Sequence, residues 1–178
     1  MSGEELLRTM QKRRSVRSYT GDPVPMEKLN LILEAGMLAP SGRAIRPWEL
    51  IVIRDKQKLI DLSSCRMGGA ARMLVGADLA IAVVGDEEKS DTWTEDCCVV
   101  MENMHLMASA LGVASCWIQA RERMAMDGET TEEYARTILQ FPQECRLEAI
   151  LSLGIPEEEW PETPLDALPF YKIHINKY

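Results

Sequence analysis

Lys12-Arg13-Arg14-Ser15-Val16-Arg17-Ser18-Tyr19 places four cations within six residues of a 178-residue chain whose formal charge is −8. Cations this close repel one another, so a fold that gathers them gains from a bound anion. Arginine presents a planar fork that grips phosphate through paired hydrogen bonds, and Ser15 adds a hydroxyl donor. Three readings compete for the run: a solvated helix end, a phosphate site and a nucleic-acid contact. The net acidity disfavours the last, because counterion release needs many phosphate contacts and the basic surplus here is local.

Upstream, Ser2-Gly3-Glu4-Glu5 has the form of a capping box, and Leu6, Leu7 and Met10 supply one apolar side of a short helix. The cations therefore sit at a helix C-terminus, where the macrodipole favours them. Ser18-Tyr19-Thr20-Gly21-Asp22-Pro23 breaks the helix at once and turns Arg17 away from it.

Downstream, Pro25 opens a helix on which Met26, Leu29, Ile32, Leu33 and Met37 recur at helical spacing. It ends at Pro40-Ser41-Gly42, and Arg43-Ala44-Ile45-Arg46-Pro47-Trp48 leads into a strand over 49–54. Asp55 caps the next helix, Gly68-Gly69 interrupts the chain, and 78–85 reads as a fully buried central strand. The longest periodic segment, 91–111, carries Cys97, Val100, Met101, Met104, Met107 and Ala108 on one wide stripe, with Gly112 as its stop. That stripe reads as core, and His105 within it has no ligand partner at metal spacing, so it is structural or interfacial. Strands follow at 113–119 and 146–154 with a helix over 130–140 between them. After three prolines the tail alternates as Tyr171-Lys172-Ile173-His174-Ile175-Asn176, which predicts one last strand.

The length suits one domain, 1–178, with 160–178 as a C-terminal dimerisation arm, since a proline-bearing arm without its own core should lie on another surface. Residues 1–12 lack the apolar core of a signal peptide, and the longest apolar stretch, 74–84, is interrupted by Asp78 and too short to span a bilayer. A cytoplasmic protein with no membrane or nucleic-acid partner is expected. Five cysteines without a CxxC pair argue against a metal site or a disulfide framework.

Four segments in this order, RRSVR after the first helix, APSGRAIRPW after the second, ALGVASCWI after the long helix and a later SLGIP, make the chain similar to the FMN-dependent nitroreductase family, short bacterial type. The resemblance implies an α+β fold with a mixed β-sheet flanked by helices, and a domain-swapped homodimer holding FMN at the subunit interface. It implies that Arg13, Arg14 and Ser15 hold the FMN phosphate and ribityl chain, and that Arg17 faces the N1/O2 edge of the ring. Pro40, Ser41 and Gly42 would come from the opposite subunit, and Cys116, Trp117 and Ile118 would approach the other side of the flavin. Gly154 would permit close passage near the phosphate end, and Lys172 is the candidate basic ligand from the tail. Ala44 and Arg46 stand where many members carry Asn and Gln, and the usual ring-edge Asn is missing from 63–75, with Arg66 or the Met67 backbone as replacements.

The activity so implied is hydride transfer from NADH or NADPH through flavin N5 to a nitroaromatic, quinone or related acceptor by a ping-pong route, with no catalytic side chain at the reacting atom. No GxGxxG follows a strand, so a separate Rossmann site for the nicotinamide is not expected. Two other readings remain open at this stage: a different flavin oxidoreductase on the same scaffold, and a non-enzymatic flavin-binding or sensor protein.

Overall fold

The computed structural model describes residues 2–178. Strands β1 (Trp48–Ile53), β2 (Leu79–Asp86), β3 (Ala114–Gln119) and β4 (Cys145–Gly154) form a sheet in the order β1-β2-β4-β3. The three ladders are antiparallel, and among the described residues parallel pairing is confined to one bridge, between Ser15 and Ser115.

Every residue of β2 is buried, as a run that is apolar on both faces requires. Its alternating side chains serve two cores. Ala80, Ala82 and Val84 pack with Leu59 and Leu62 of α3 (Lys56–Leu62) and Ala135 of α5 (Thr131–Leu139). Leu79, Ile81 and Val83 face the other way, onto Leu29 and Ile32 of α2 (Met26–Met37) and Val100, Met101 and Met104 of α4 (Trp93–Ala110). The methionine stripe of α4 is thus core, with Met101 and Met104 fully buried. Opposite the junction of Val83 and Val84 the register slips by one residue, so Val83 pairs with Ala149 and Val84 with Leu147. The extra residue, Glu148, lets Leu147 and Ile150 face the same core.

Helix α1 (Gly3–Lys12) carries the expected capping box, with the Ser2 hydroxyl accepting from the Glu5 amide and the Glu5 carboxylate accepting from the Ser2 amide. Asp55 caps α3 through the Gln57 and Lys58 amides. None of the residues of α1 is buried, although Leu6, Leu7 and Met10 lie on it.

The predicted last strand is not formed. Residues 160–178 contain two 3₁₀ turns, Leu165–Ala167 and Phe170–Lys172, and no strand. A strand needs an edge to pair with, and this arm runs along α1 instead: the Thr163 amide donates to the Gln11 carbonyl at 2.9 Å, and Glu162 pairs with Arg8 at 3.1 Å. Beyond it, Phe170, Tyr171, Ile173 and Ile175 are exposed. Among the described residues no helix is long and apolar enough to cross a membrane, and no cluster of metal-ligating side chains occurs.

Candidate active site

The arginine run leaves α1 and is fastened to two elements. The Val16 amide donates to the Ser115 carbonyl at 3.0 Å, which ties the run to the free edge of β3. The Arg13 guanidinium lies 3.0 Å from Nε2 of His105 on α4, and Nδ1 of the same ring lies 2.6 Å from the Ser115 hydroxyl. Tyr19 closes the run from below: its hydroxyl donates to the Val16 carbonyl at 2.9 Å and meets the Ser152 hydroxyl at 2.7 Å. Burial pushes the Tyr19 phenol well above its usual range and lowers His105 to about 4, with the nearby Arg13 charge adding to the latter.

Among the described residues, Arg13, Arg14 and Arg17 form no ion pair with a carboxylate. Arg14 donates to the Pro161 carbonyl at 3.2 Å, and its Nε is buried with no partner. Arg17 is exposed and donates to the Ser15 carbonyl, and Ser15 itself is exposed beside it. A cleft of about 530 Å³ opens between Lys12, Arg14 and Ser115 on one wall and Glu158, Glu159 and Trp160 on the other. Glu162 also lines it and lies 3.9 Å from the Lys12 ammonium, and Arg14 is the arginine on its lining.

The β3 residues divide by face. Cys116 and Ile118 point into the core shared with α3 and α5, while Trp117 packs against the opposite one. Burial raises the Cys116 thiol, so it offers no thiolate. What β3 can present together at 116–118 is edge backbone. The indole of Trp117 donates to Gln119 Oε1 at 2.9 Å, and Gln119 is in turn held by the buried Glu148 at 2.8 Å.

Ser41 and Gly42 lie elsewhere. The Gly42 amide donates to Asp96 at the start of α4, and a side chain on Gly42 would sit 2.5 Å from the Thr92 hydroxyl. Asp96 and His105 are nine residues apart on one helix, so at 1.5 Å per residue the two groups are separated by roughly 13 Å along it. One chain therefore does not bring Pro40, Ser41 and Gly42 to the arginine run. The loop after them holds Arg43, Ala44 and Arg46 at φ of 54°, 58° and 53°. Alanine has no side chain to offset that conformation, whereas Asn tolerates the region best after glycine, so Ala44 sits in strained backbone. Arg66 donates to the Gln119 carbonyl, with its Nε buried and unpartnered. Lys172 sits exposed in the second 3₁₀ turn of the arm, its side chain without a hydrogen bond or ion pair among the described residues.

Gly154 acquires a packing role. A side chain there would meet the Tyr19 ring at 2.6 Å, so the glycine makes room for the residue that anchors the run. His105 and Tyr19 were invisible as site residues in the sequence, since their partners lie 92 and 133 positions away.

An antiparallel sheet with helices on both faces and an unneutralised arginine run on its edge strand define an α+β protein equipped to take an anionic ligand. A sequence model of the nitroreductase family matches residues 10–74 and 59–155. The chain belongs to the nitroreductase family. An FMN-dependent nitroreductase from Clostridium difficile R20291 has 41% sequence identity and a TM-score of 0.93, covering 97% of this chain and 99% of that one. A protein of Archaeoglobus fulgidus, provisionally named NADH dehydrogenase/NAD(P)H nitroreductase, is 35% identical over 88% of each chain. A provisionally named nitroreductase of Desulfovibrio desulfuricans, solved in complex with FMN, is 28% identical with a TM-score of 0.73 over 93% of this chain and 95% of that one.

Proposed function

We propose that this chain is an FMN-dependent NAD(P)H oxidoreductase that reduces quinone or nitroaromatic acceptors, working as a homodimer. The observation that carries the reading is the run Arg13-Arg14-Ser15, fastened to β3 and α4 and free of carboxylate partners among the described residues. The residues fit the cofactor: a dianionic phosphate suits two arginines whose charges are not otherwise spent, and the orphaned Arg14 Nε needs an acceptor. The cleft of about 530 Å³ beside Arg14 and Ser115 borders this run.

Bound FMN would supply the hydride chemistry between NAD(P)H and the acceptor. The chain's own contribution is to hold and tune. Arg13, Arg14 and Ser15 bind the phosphate and ribityl chain through two guanidinium forks and a hydroxyl, with Lys172 as the candidate further basic ligand from the arm. Arg17 brings positive charge to the pyrimidine edge, where reduction builds negative charge. The β3 edge at 116–118 lines one side of the ring, with Trp117 held by the Gln119–Glu148 pair and walling off water. Pro40, Ser41 and Gly42 complete the site from the second subunit. Donor and acceptor then use one cleft in turn, which gives ping-pong kinetics.

Two apolar surfaces support the dimer. The unburied α1 borders a groove of about 380 Å³ lined by Leu6, Leu31, Leu38, Leu106 and Met107, and the arm over 160–178 exposes five large apolar residues past Leu168. Steady-state oxidation of NADH and NADPH with a quinone tests the activity, with parallel double-reciprocal lines expected. An FMN-loaded protein that turns over neither nucleotide would leave a flavin-binding protein without this activity. Sedimentation at micromolar concentration should show a dimer.

A further inference from the structure

His105 is 3% exposed, yet neither of its ring nitrogens is left without a partner. A guanidinium can only donate, so Nε2 facing Arg13 must carry the lone pair. Nδ1 then carries the proton and donates to the Ser115 hydroxyl, which fixes one tautomer. Ser115 closes the arrangement, because its carbonyl accepts from the Val16 amide that follows the run.

Arginines elsewhere in the chain are held differently. Arg136 is buried against Glu132 at 2.9 Å, Arg121 pairs with the buried Glu148 at 3.1 Å, and Arg146 pairs with Glu87 at 2.7 Å. A carboxylate orients an arginine but also neutralises it. Imidazole orients Arg13 through a neutral acceptor; Glu102, one turn earlier on α4, feels the Arg13 charge but makes no ion pair with it among the described residues, so the guanidinium stays available to a second partner.

We infer that His105 is a positioning residue that presents Arg13 as an oriented, unneutralised cation to the cofactor phosphate, and so makes the site select FMN over riboflavin. The inference rests on the phosphate role proposed for Arg13.

Its test is a fluorescence titration of the full-length chain, stripped of flavin, with FMN and with riboflavin. His105→Leu should raise the FMN dissociation constant about tenfold, the scale of one lost charge-assisted hydrogen bond, and move the riboflavin constant by less than about twofold. His105→Gln, whose amide can accept from Arg13 and donate to Ser115, should restore FMN binding to within about threefold of the parent. His105→Glu should weaken FMN at least as much as His105→Leu, since it neutralises Arg13. In an Arg13→Ala background His105→Leu should cost nothing further. Equal losses for FMN and riboflavin, or an undiminished His105→Leu effect in that background, would show a merely structural histidine and overturn the inference. Parent-like FMN affinity in His105→Leu would overturn it while leaving the proposed function standing. A parent protein that binds neither flavin would overturn both.

Discussion

Replacing Gly154 with alanine tests how the fold holds the arginine run. The added methyl carbon would lie 2.6, 2.7 and 3.0 Å from Cδ1, Cγ and Cβ of Tyr19, inside the distance real side chains tolerate. Tyr19 has little freedom to retreat, because it is 6% exposed and its hydroxyl is engaged by both Val16 and Ser152. Forcing a methyl group into a packed site of this kind costs about 1–3 kcal/mol. For a chain of this length that corresponds to a fall in Tm of roughly 3–8 °C. Differential scanning calorimetry of parent and Gly154→Ala reads the stability, and FMN titration reads the site. The expected result is a lower Tm with a smaller loss of FMN affinity, since the displacement reaches Arg13 only through Val16 and the Ser115 contact. An unchanged Tm combined with a large loss of FMN affinity would refute the packing argument and return Gly154 to a direct role beside the ligand.

Ala44→Gly should raise Tm by about 1–4 °C, because relief of the left-handed backbone, about 1–2 kcal/mol, exceeds the roughly 0.4–1 kcal/mol that glycine adds to unfolded-chain entropy; a lower Tm would show that the loop is not strained there. Arg17→Gln should lower the two-electron midpoint potential by roughly 20–60 mV while weakening FMN less than Arg13→Ala does, read by spectroelectrochemical titration at one pH; an unchanged potential with most of the flavin lost would place Arg17 in the phosphate grip. His105 is depressed to about 4 in the fold, so between its ordinary value near 6.5 and about 4 the unfolded chain binds the extra proton and stability falls as pH falls. Urea midpoints measured from pH 7 to pH 4 should therefore drop further for the parent than for His105→Leu, and equal slopes would contradict a neutral buried ring.

The elements that a local pattern specifies were readable from the chain. The capping box at Ser2 and Glu5, the apolar run of β2 and the α4 stripe each carry their signal within a few residues, and each lies where the pattern puts it. The arginine run stands out because like charges crowd along the sequence itself, and the anion site proposed there rests on that crowding. The tail misled: alternation at 171–176 predicts a strand, but pairing depends on a free edge, and no local pattern reports whether one is within reach. His105 escaped for a related reason. Its role lies in Arg13 and Ser115, brought together by the packing of α4 beside β3, and a lone histidine on an apolar helix carries no trace of either. Likewise, nothing in the sequence around Ala44 reports that its backbone takes a positive φ.

The most direct test is the visible absorption spectrum of the purified full-length protein, followed by FMN titration of parent and Arg13→Ala. The account predicts flavin bands with one FMN per chain in the parent and an affinity weakened by about 1.5–3 kcal/mol in Arg13→Ala, the scale of a charge-assisted hydrogen bond. A colourless parent that takes up no added FMN, or an Arg13→Ala variant that binds it as tightly as the parent, would contradict it.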